Sequence, residues 1–183
     1  MRPQWQLWPA HVASQTCDEI IETCEKLPAV PATVSNEAEV KRNVRISKVR
    51  WATGNEKIRN FLWDYVLHAN RMAFGFDVQN IAEIQYTEYH GVNKGKYEWH
   101  HDTLFERDTP FDRKLSVTVQ LSDSTDYEDG NFEFELADVP TVEQLRSRGS
   151  VLVFPSYLRH RVTPVSSGIR KSLVAWFEGP RWR

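Results

Sequence analysis

Apolar residues recur at helical spacing over residues 10–27, where Val12, Cys17, Ile20, Ile21 and Cys24 fall on one stripe, and Pro28 and Pro31 mark its stop. A second stripe over residues 55–74, made by Ile58, Phe61, Leu62, Tyr65, Val66 and Ala69, predicts another amphipathic helix with Gly75 as its C-cap. Between them AVPATVSNEAEVKRN reads as a polar loop, and NVRISKVRWAT alternates Val44 and Ile46 against Arg45 and Ser47, which suits a strand. Residues 1–75 are therefore expected to be mainly helical. From residue 76 the texture changes to short runs rich in Val, Ile, Phe and Tyr, among them IAEIQYTEY, YEWHHD, KLSVTVQLS, NFEFEL, SVLVFPS, HRVTPV and KSLVAWFEG, separated by Gly, Asp, Asn and Pro. That spacing predicts a sandwich or barrel of the jelly-roll kind over residues 76–183, with the helices supporting one face and the other mouth open.

At 183 residues and 40% apolar content the chain is long enough for one domain and too short for two of ordinary size. Its 23 basic and 25 acidic side chains give a formal charge of -2 without a dense Lys/Arg run, so no nucleic-acid partner is expected. The opening MRPQWQLWPAHV does not read as a leader, and no run approaches the roughly 18–20 apolar residues of a membrane span, so a cytoplasmic protein is expected. Cys17 and Cys24 would lie two turns apart on one helical face, too far for a disulfide, and read as reduced buried thiols. Oligomeric state is not legible.

The candidate chemistry sits at His100, Asp102, His160 and Arg170. Side chains two apart on a strand share a face, so His100 and Asp102 can converge on one ion while His101 turns away. Two imidazoles and a carboxylate leave half an octahedron open, which suits ferrous iron and also Mn, Co or Zn. Standing alone, His-x-Asp reads equally as polar residues at a strand end. His160 lies in VLVFPSYLRHRVTPV, where an exposed structural histidine has no purpose, and Arg170 follows an expected turn at Ser166, Ser167 and Gly168. A guanidinium fork there can pair a carboxylate at two points, whereas a surface ion pair is its ordinary role.

Taken together, these residues and their surroundings resemble the 2-oxoglutarate and iron(II)-dependent dioxygenases, most closely the prolyl and lysyl hydroxylase branch. The likeness runs through YHGVNKGKYEWHHD, LSVTVQLSDSTDYEDGNFEF and GSVLVFPSYLRHRVTPVSSGIRKSLVAWFEG, and covers about residues 81–179. It implies a double-stranded β-helix of cupin-like kind, with His100, Asp102 and His160 as iron ligands and Arg170 as partner of the far carboxylate of 2-oxoglutarate. It further implies Tyr89, Val162 and Trp176 as walls of the cosubstrate pocket, Ser172 assisting Arg170, and Tyr97 nearer the substrate, with Phe132 as a further wall. Without the likeness the aromatic residues would read as core. Gln120 stands where other members carry a tyrosine that hydrogen-bonds the far carboxylate, and an amide can still donate. Asp129-Gly130-Asn131 replaces paired glycines, which leaves the local turn open. The sequence stops at Arg183 soon after the last expected strand, so no carboxy-terminal helix is expected.

The activity implied is hydroxylation of an aliphatic carbon, with a prolyl residue of a peptide or protein as substrate, and with Fe(II), 2-oxoglutarate and dioxygen required, ascorbate being an open support. Asp102 argues against halogenation, for which a small residue usually replaces that ligand. A free amino acid or other small molecule is the alternative substrate. A zinc or manganese hydrolase on the same barrel would leave Arg170 without a role, and a non-catalytic binding module would leave the ligand set without one. The loops at residues 30–43 and 103–113 are expected to flank the mouth, as ordered lids or mobile segments.

Overall fold

The computed structural model describes residues 3–32, 44–105, 108–138 and 140–182. In chain order the elements are β1 (Gln6–Trp8), α1 (Ser14–Glu25), β2 (Val30–Pro31), β3 (Arg45–Ile46), β4 (Lys48–Trp51), α2 (Glu56–Ala69), β5 (Ala82–His90) and β6 (Lys96–His100). They continue with β7 (Phe111–Gln120), β8 (Tyr127–Asp129), β9 (Phe132–Phe134), α3 (Val142–Arg146), β10 (Val151–Pro155), β11 (His160–Val162) and β12 (Val165–Pro180). Two antiparallel sheets result. The larger has the order β1-β10-β7-β12-β5-β4-β2, with β8 also paired to β12, and the smaller has the order β3-β6-β11-β9. The expected jelly roll with supporting helices is what forms.

Strict alternation on the large sheet separates two environments. Ile84 and Tyr86 of β5, Leu115, Val117 and Val119 of β7, and Leu173, Ala175 and Phe177 of β12 pack against Cys17, Ile20 and Cys24 of α1 and Leu62, Val66 and Ala69 of α2. Their neighbours Gln85, Tyr89, Thr118, Arg170, Ser172, Val174 and Trp176 turn to the other side and line a cavity between the sheets. Burial of side chains such as Leu62, Leu115 and Phe177 stabilises the fold by about 2 kcal/mol each. α2 starts and stops where its ends are satisfied. Asn55 accepts from the Ile58 amide at 3.0 Å to cap α2. A π-turn over Asn70–Phe74 then ends at Gly75, whose φ of 68° favours a residue without a Cβ.

Several expectations are corrected. The amino-terminal part supplies β1 to β4 as well as two helices, because β10 and β5 would otherwise present open edges that these short strands cover. The alternation read over residues 44–47 is inverted: Arg45 is buried, and Val44 and Ile46 are half-buried. Its Nε and Nη2 are hydrogen-bonded inside by Ser47 and Gln85, which offsets part of the cost of turning this charged side chain inward. The turn expected at Ser166, Ser167 and Gly168 does not interrupt the chain; β12 runs through it with a register shift against β8. α3 was not anticipated, although Thr141 and Gln144 form a reciprocal capping box. At the mouth, β7 begins at Phe111, inside the loop expected over residues 103–113, and residues 106–107 lie outside the described set, as do residues 33–43 of the other expected loop. Cys17 and Cys24 are buried free thiols. No helix among the described residues is long and apolar enough to cross a membrane.

Candidate metal centre and its pocket

His100 closes β6 and His160 opens β11, and the antiparallel register sets the two opposite each other, with ring centroids 4.2 Å apart. Asp102 lies just past the end of β6, held there by its amide, which donates to the Ser156 carbonyl at 2.8 Å. His100 Nε2 is 3.6 Å from Asp102 Oδ1, and His160 Nε2 is 3.5 Å from Oδ2. One donor atom from each of the three residues lies within 4.8 Å of the others. Adjacent ligands on an octahedral ion, at metal–nitrogen distances of about 2.1 Å, stand roughly 3 Å apart, so the cluster would draw together to close on one ion. His101 is exposed and turned away.

The ligand atoms are prepared chemically as well as placed. Nδ1 of His100 donates to the Glu98 carbonyl at 2.7 Å and Nδ1 of His160 to the Leu158 carbonyl at 2.8 Å, which fixes both tautomers with the Nε2 lone pairs toward the centre. Burial, followed by the charge of His160, pushes the His100 pKa down to about 3, so its ring is neutral across the physiological range. Burial works against ionisation of Asp102, but His160, His100, Arg113 and a hydrogen bond from Ser116 outweigh it and hold the carboxyl below its usual range. Ser116 Oγ donates to Asp102 Oδ2 at 2.7 Å and is itself 3.0 Å from Ser156 Oγ. Two imidazoles with Nε2 turned inward and one carboxylate gathered on one side of a cavity fit a divalent ion of the iron type and leave its other face free for ligands.

Arg170 reaches this cavity from β12. It is buried, its guanidinium carbon lies 5.7 Å from the ring of Tyr89 opposite it in register, and it has no carboxylate partner among the described residues. Tyr89, Tyr97, Phe132, Val162, Ser172 and Trp176 line the same space as the three ligand candidates. Gln120 does not. Its amide nitrogen donates to the Ser122 carbonyl at 3.1 Å and to the Tyr127 hydroxyl at 3.2 Å, and the side chain faces a smaller neighbouring cavity behind Arg170. Thr118, one pleat nearer the metal ligands on β7, stands on the wall instead. The turn at Asp129 and Gly130 is left-handed at both residues, with φ of 59° and 63°. Arg146 holds it by donating to the carbonyls of Asp129, Ser124 and Tyr127.

Sequence reasoning missed Arg45, Gln85 and Thr118 on the cavity wall and Ser116 and Ser156 behind Asp102. The polar positions 116, 118 and 120, alternating with apolar ones along β7, carry the signal that could have found two of these neighbours, Ser116 and Thr118. Arg45 lies over the Tyr97 ring at 4.4 Å, and Tyr97 stacks on His100 with ring centroids 3.4 Å apart. Burial pushes the Tyr97 pKa up to about 12, so it is a neutral phenol. At the other side Arg113, paired with Glu83, covers the Trp176 ring at 4.0 Å.

The sequence profile described as "2OG-Fe(II) oxygenase superfamily" matches residues 84–178, over half of the chain. A PKHD-type hydroxylase of Synechococcus sp. strain CC9902 is 39% identical over 82 residues, which are 45% of this chain and 36% of that protein, so the chain spans about a third of the length of that relative. A Pseudomonas putida prolyl-4-hydroxylase superposes with a TM-score of 0.72 at 20% identity, covering 98% of this chain and 94% of the other. A prolyl hydroxylase from Trichoplax adhaerens, solved with a hypoxia inducible factor peptide fragment, gives 0.73 at 16% identity over 95% and 83% of the two chains. At such identities the superpositions establish the shared fold. The profile match establishes more: this chain belongs to the 2OG-Fe(II) oxygenase superfamily.

Proposed function

We propose that this chain is a 2-oxoglutarate- and Fe(II)-dependent hydroxylase of an aliphatic carbon, with a prolyl residue of a peptide or protein as its substrate, acting in the cytoplasm. One observation carries the reading: His100, Asp102 and His160 converge on one side of a cavity that also receives the buried guanidinium of Arg170, which lacks a carboxylate partner among the described residues. A hydrolase would need the first feature and have no use for the second. The prolyl assignment is supported by the likeness to a PKHD-type hydroxylase and to prolyl hydroxylases, one of them holding a peptide.

His100 Nε2, His160 Nε2 and an Asp102 carboxylate oxygen would hold the metal. When bound, ferrous iron with 2-oxoglutarate and dioxygen supplies the oxidising power for insertion of one oxygen atom into a C–H bond, with succinate and carbon dioxide as co-products. The chain's own work is binding and exclusion. Arg170 pairs the far carboxylate of 2-oxoglutarate through its fork, with Ser172 and Tyr89 beside it. Val162, Phe132 and Trp176 keep water from the cavity, which strengthens that pairing. Ser116 keeps Asp102 free of a proton and correctly turned.

Anaerobic titration of the iron-loaded protein with 2-oxoglutarate tests the assignment through the visible charge-transfer band of the chelate. Charge-assisted hydrogen bonds of this kind contribute about 1.5–3 kcal/mol, so Arg170→Ala is expected to weaken binding about 10–100-fold. His160→Ala is expected to abolish peptide-dependent succinate formation. No band in loaded wild type, or turnover retained in His160→Ala, would overturn the reading.

A further inference from the structure

Four arginines are buried among the described residues: Arg45, Arg50, Arg113 and Arg170. Arg50 is paired with Glu88 and Arg113 with Glu83. Arg45 and Arg170 have no carboxylate partner among the described residues, and both line the one cavity that holds the candidate metal centre. An unpaired buried cation is costly, on the order of several kcal/mol, unless an anion arrives to meet it. The far carboxylate of 2-oxoglutarate accounts for Arg170. It does not account for Arg45, whose partner Gln85 lies four residues along β5 from Tyr89, roughly 13 Å at about 3.3 Å per residue.

Among the described residues the contacts of Arg45 are all to neutral groups. Its Nε donates to Ser47 Oγ at 2.9 Å, its Nη2 donates to Gln85 Oε1 at 2.6 Å, and its face covers the Tyr97 ring, which in turn stacks on His100. The other guanidinium nitrogen and the Gln85 amide nitrogen are donors without a protein acceptor among the described residues and are available to an anion. Charge counting points the same way. A ferrous ion, the Asp102 carboxylate, doubly charged 2-oxoglutarate and Arg170 sum to zero, and the positive charge of Arg45 is left over for a singly charged anion.

We infer that the substrate presents a carboxylate close to the carbon that is oxidised, and that Arg45, steadied by Gln85 and Tyr97, binds it. This inference rests on the oxygenase reading and narrows its substrate class: a free amino acid, a chain-terminal residue or an acidic side chain, in preference to a neutral internal residue.

The test is a matched pair of ligands, N-acetyl-L-proline and N-acetyl-L-prolinamide, added to the anaerobic Fe(II)·2-oxoglutarate protein while the shift of its visible band is followed. The acid is expected to bind at least tenfold more tightly than the amide, and the preference is expected to vanish in Arg45→Gln. Since that variant removes a buried side chain, Gln85→Glu is the second probe: it keeps the shape of the wall while giving Arg45 a carboxylate of its own, and it too should erase the preference. Equal binding of acid and amide, no band shift from either, or a preference that survives both variants would overturn the inference. Failure of the band itself to form in wild type is a separate result, which sinks the oxygenase reading and this inference with it.

Discussion

Replacing Ser116 by alanine removes one buried hydroxyl that touches no expected ligand of the substrate or cosubstrate, yet it should loosen the metal. Ser116 is fully buried on β7 and its hydroxyl donates to Asp102 Oδ2 at 2.7 Å. A hydrogen bond to a charged group contributes about 1.5–3 kcal/mol, and outer partners of metal ligands typically hold about 10–100-fold in metal affinity. Calorimetric titration of the metal-free protein with Mn(II), a redox-stable stand-in, is therefore expected to show a loss of about 10–100-fold in Ser116→Ala. Ser156→Ala is the internal control. Its hydroxyl contacts Ser116 at 3.0 Å, while its hold on Asp102 is through the main-chain carbonyl, which the substitution retains. That variant is expected to lose less than about threefold, on the same scale. Wild-type affinity in Ser116→Ala, or an equal loss in both variants, would refute the idea that this hydroxyl orients the carboxylate.

Gly130→Ala should weaken both fold and cosubstrate binding. A Cβ there would stand 2.7 Å from Val165 Cγ2 and 3.3 Å from Arg170 Cδ, at a φ of +63°, and left-handed backbone costs about 1–2 kcal/mol for a residue with a Cβ. Denaturant unfolding together with band titration checks this, and unchanged 2-oxoglutarate affinity would show that the glycine does not govern Arg170. Glu88→Gln addresses pH. Burial opposes ionisation of Glu88, but hydrogen bonds from Arg50 and His90 and the charges of Arg50 and Lys48 hold its carboxyl below the usual value. Its contribution is therefore complete above the ordinary glutamate range near about pH 4.3 and is lost as pH falls through the lowered folded value. The variant should be about 3 kcal/mol less stable at neutral pH and should lack that part of the acid loss, as followed by unfolding at stepped pH. An acid limb identical to wild type would refute it.

The ligand candidates were legible because each sits at a strand boundary marked by local pattern, His100 and Asp102 by their spacing of two and His160 by its apolar run. Arg170 stood out only beside them. What escaped was information carried by register across distant segments. Ser116 reaches Asp102 because β7 pairs with β10, bringing Ser116 opposite Phe154 and next to Ser156. Arg45 was read as outward because alternation counts charge as solvent-facing, and its inward partners, Gln85 and Tyr97, lie far along the chain. β1 and β2 are too short for any periodicity and exist because an edge awaited them. Gln120 was placed by likeness, and local hydrogen bonds turn it elsewhere.

The alternation on β5, β7 and β12 also shapes how this protein can change. Residues that pack the helices and residues that face the cavity are successive letters of the same strands, so they are inherited as one block but answer to separate demands. Positions such as Thr118 and Val174 can be varied in a mutant library while Leu115, Val117, Leu173 and Ile84 stay fixed, and new substrate preferences can be sampled with little loss of thermal tolerance. Insertion of a single residue within these strands has the opposite outcome, because it exchanges the two sets at once; diversification is thereby channelled into substitutions on the sheet and length changes at its ends.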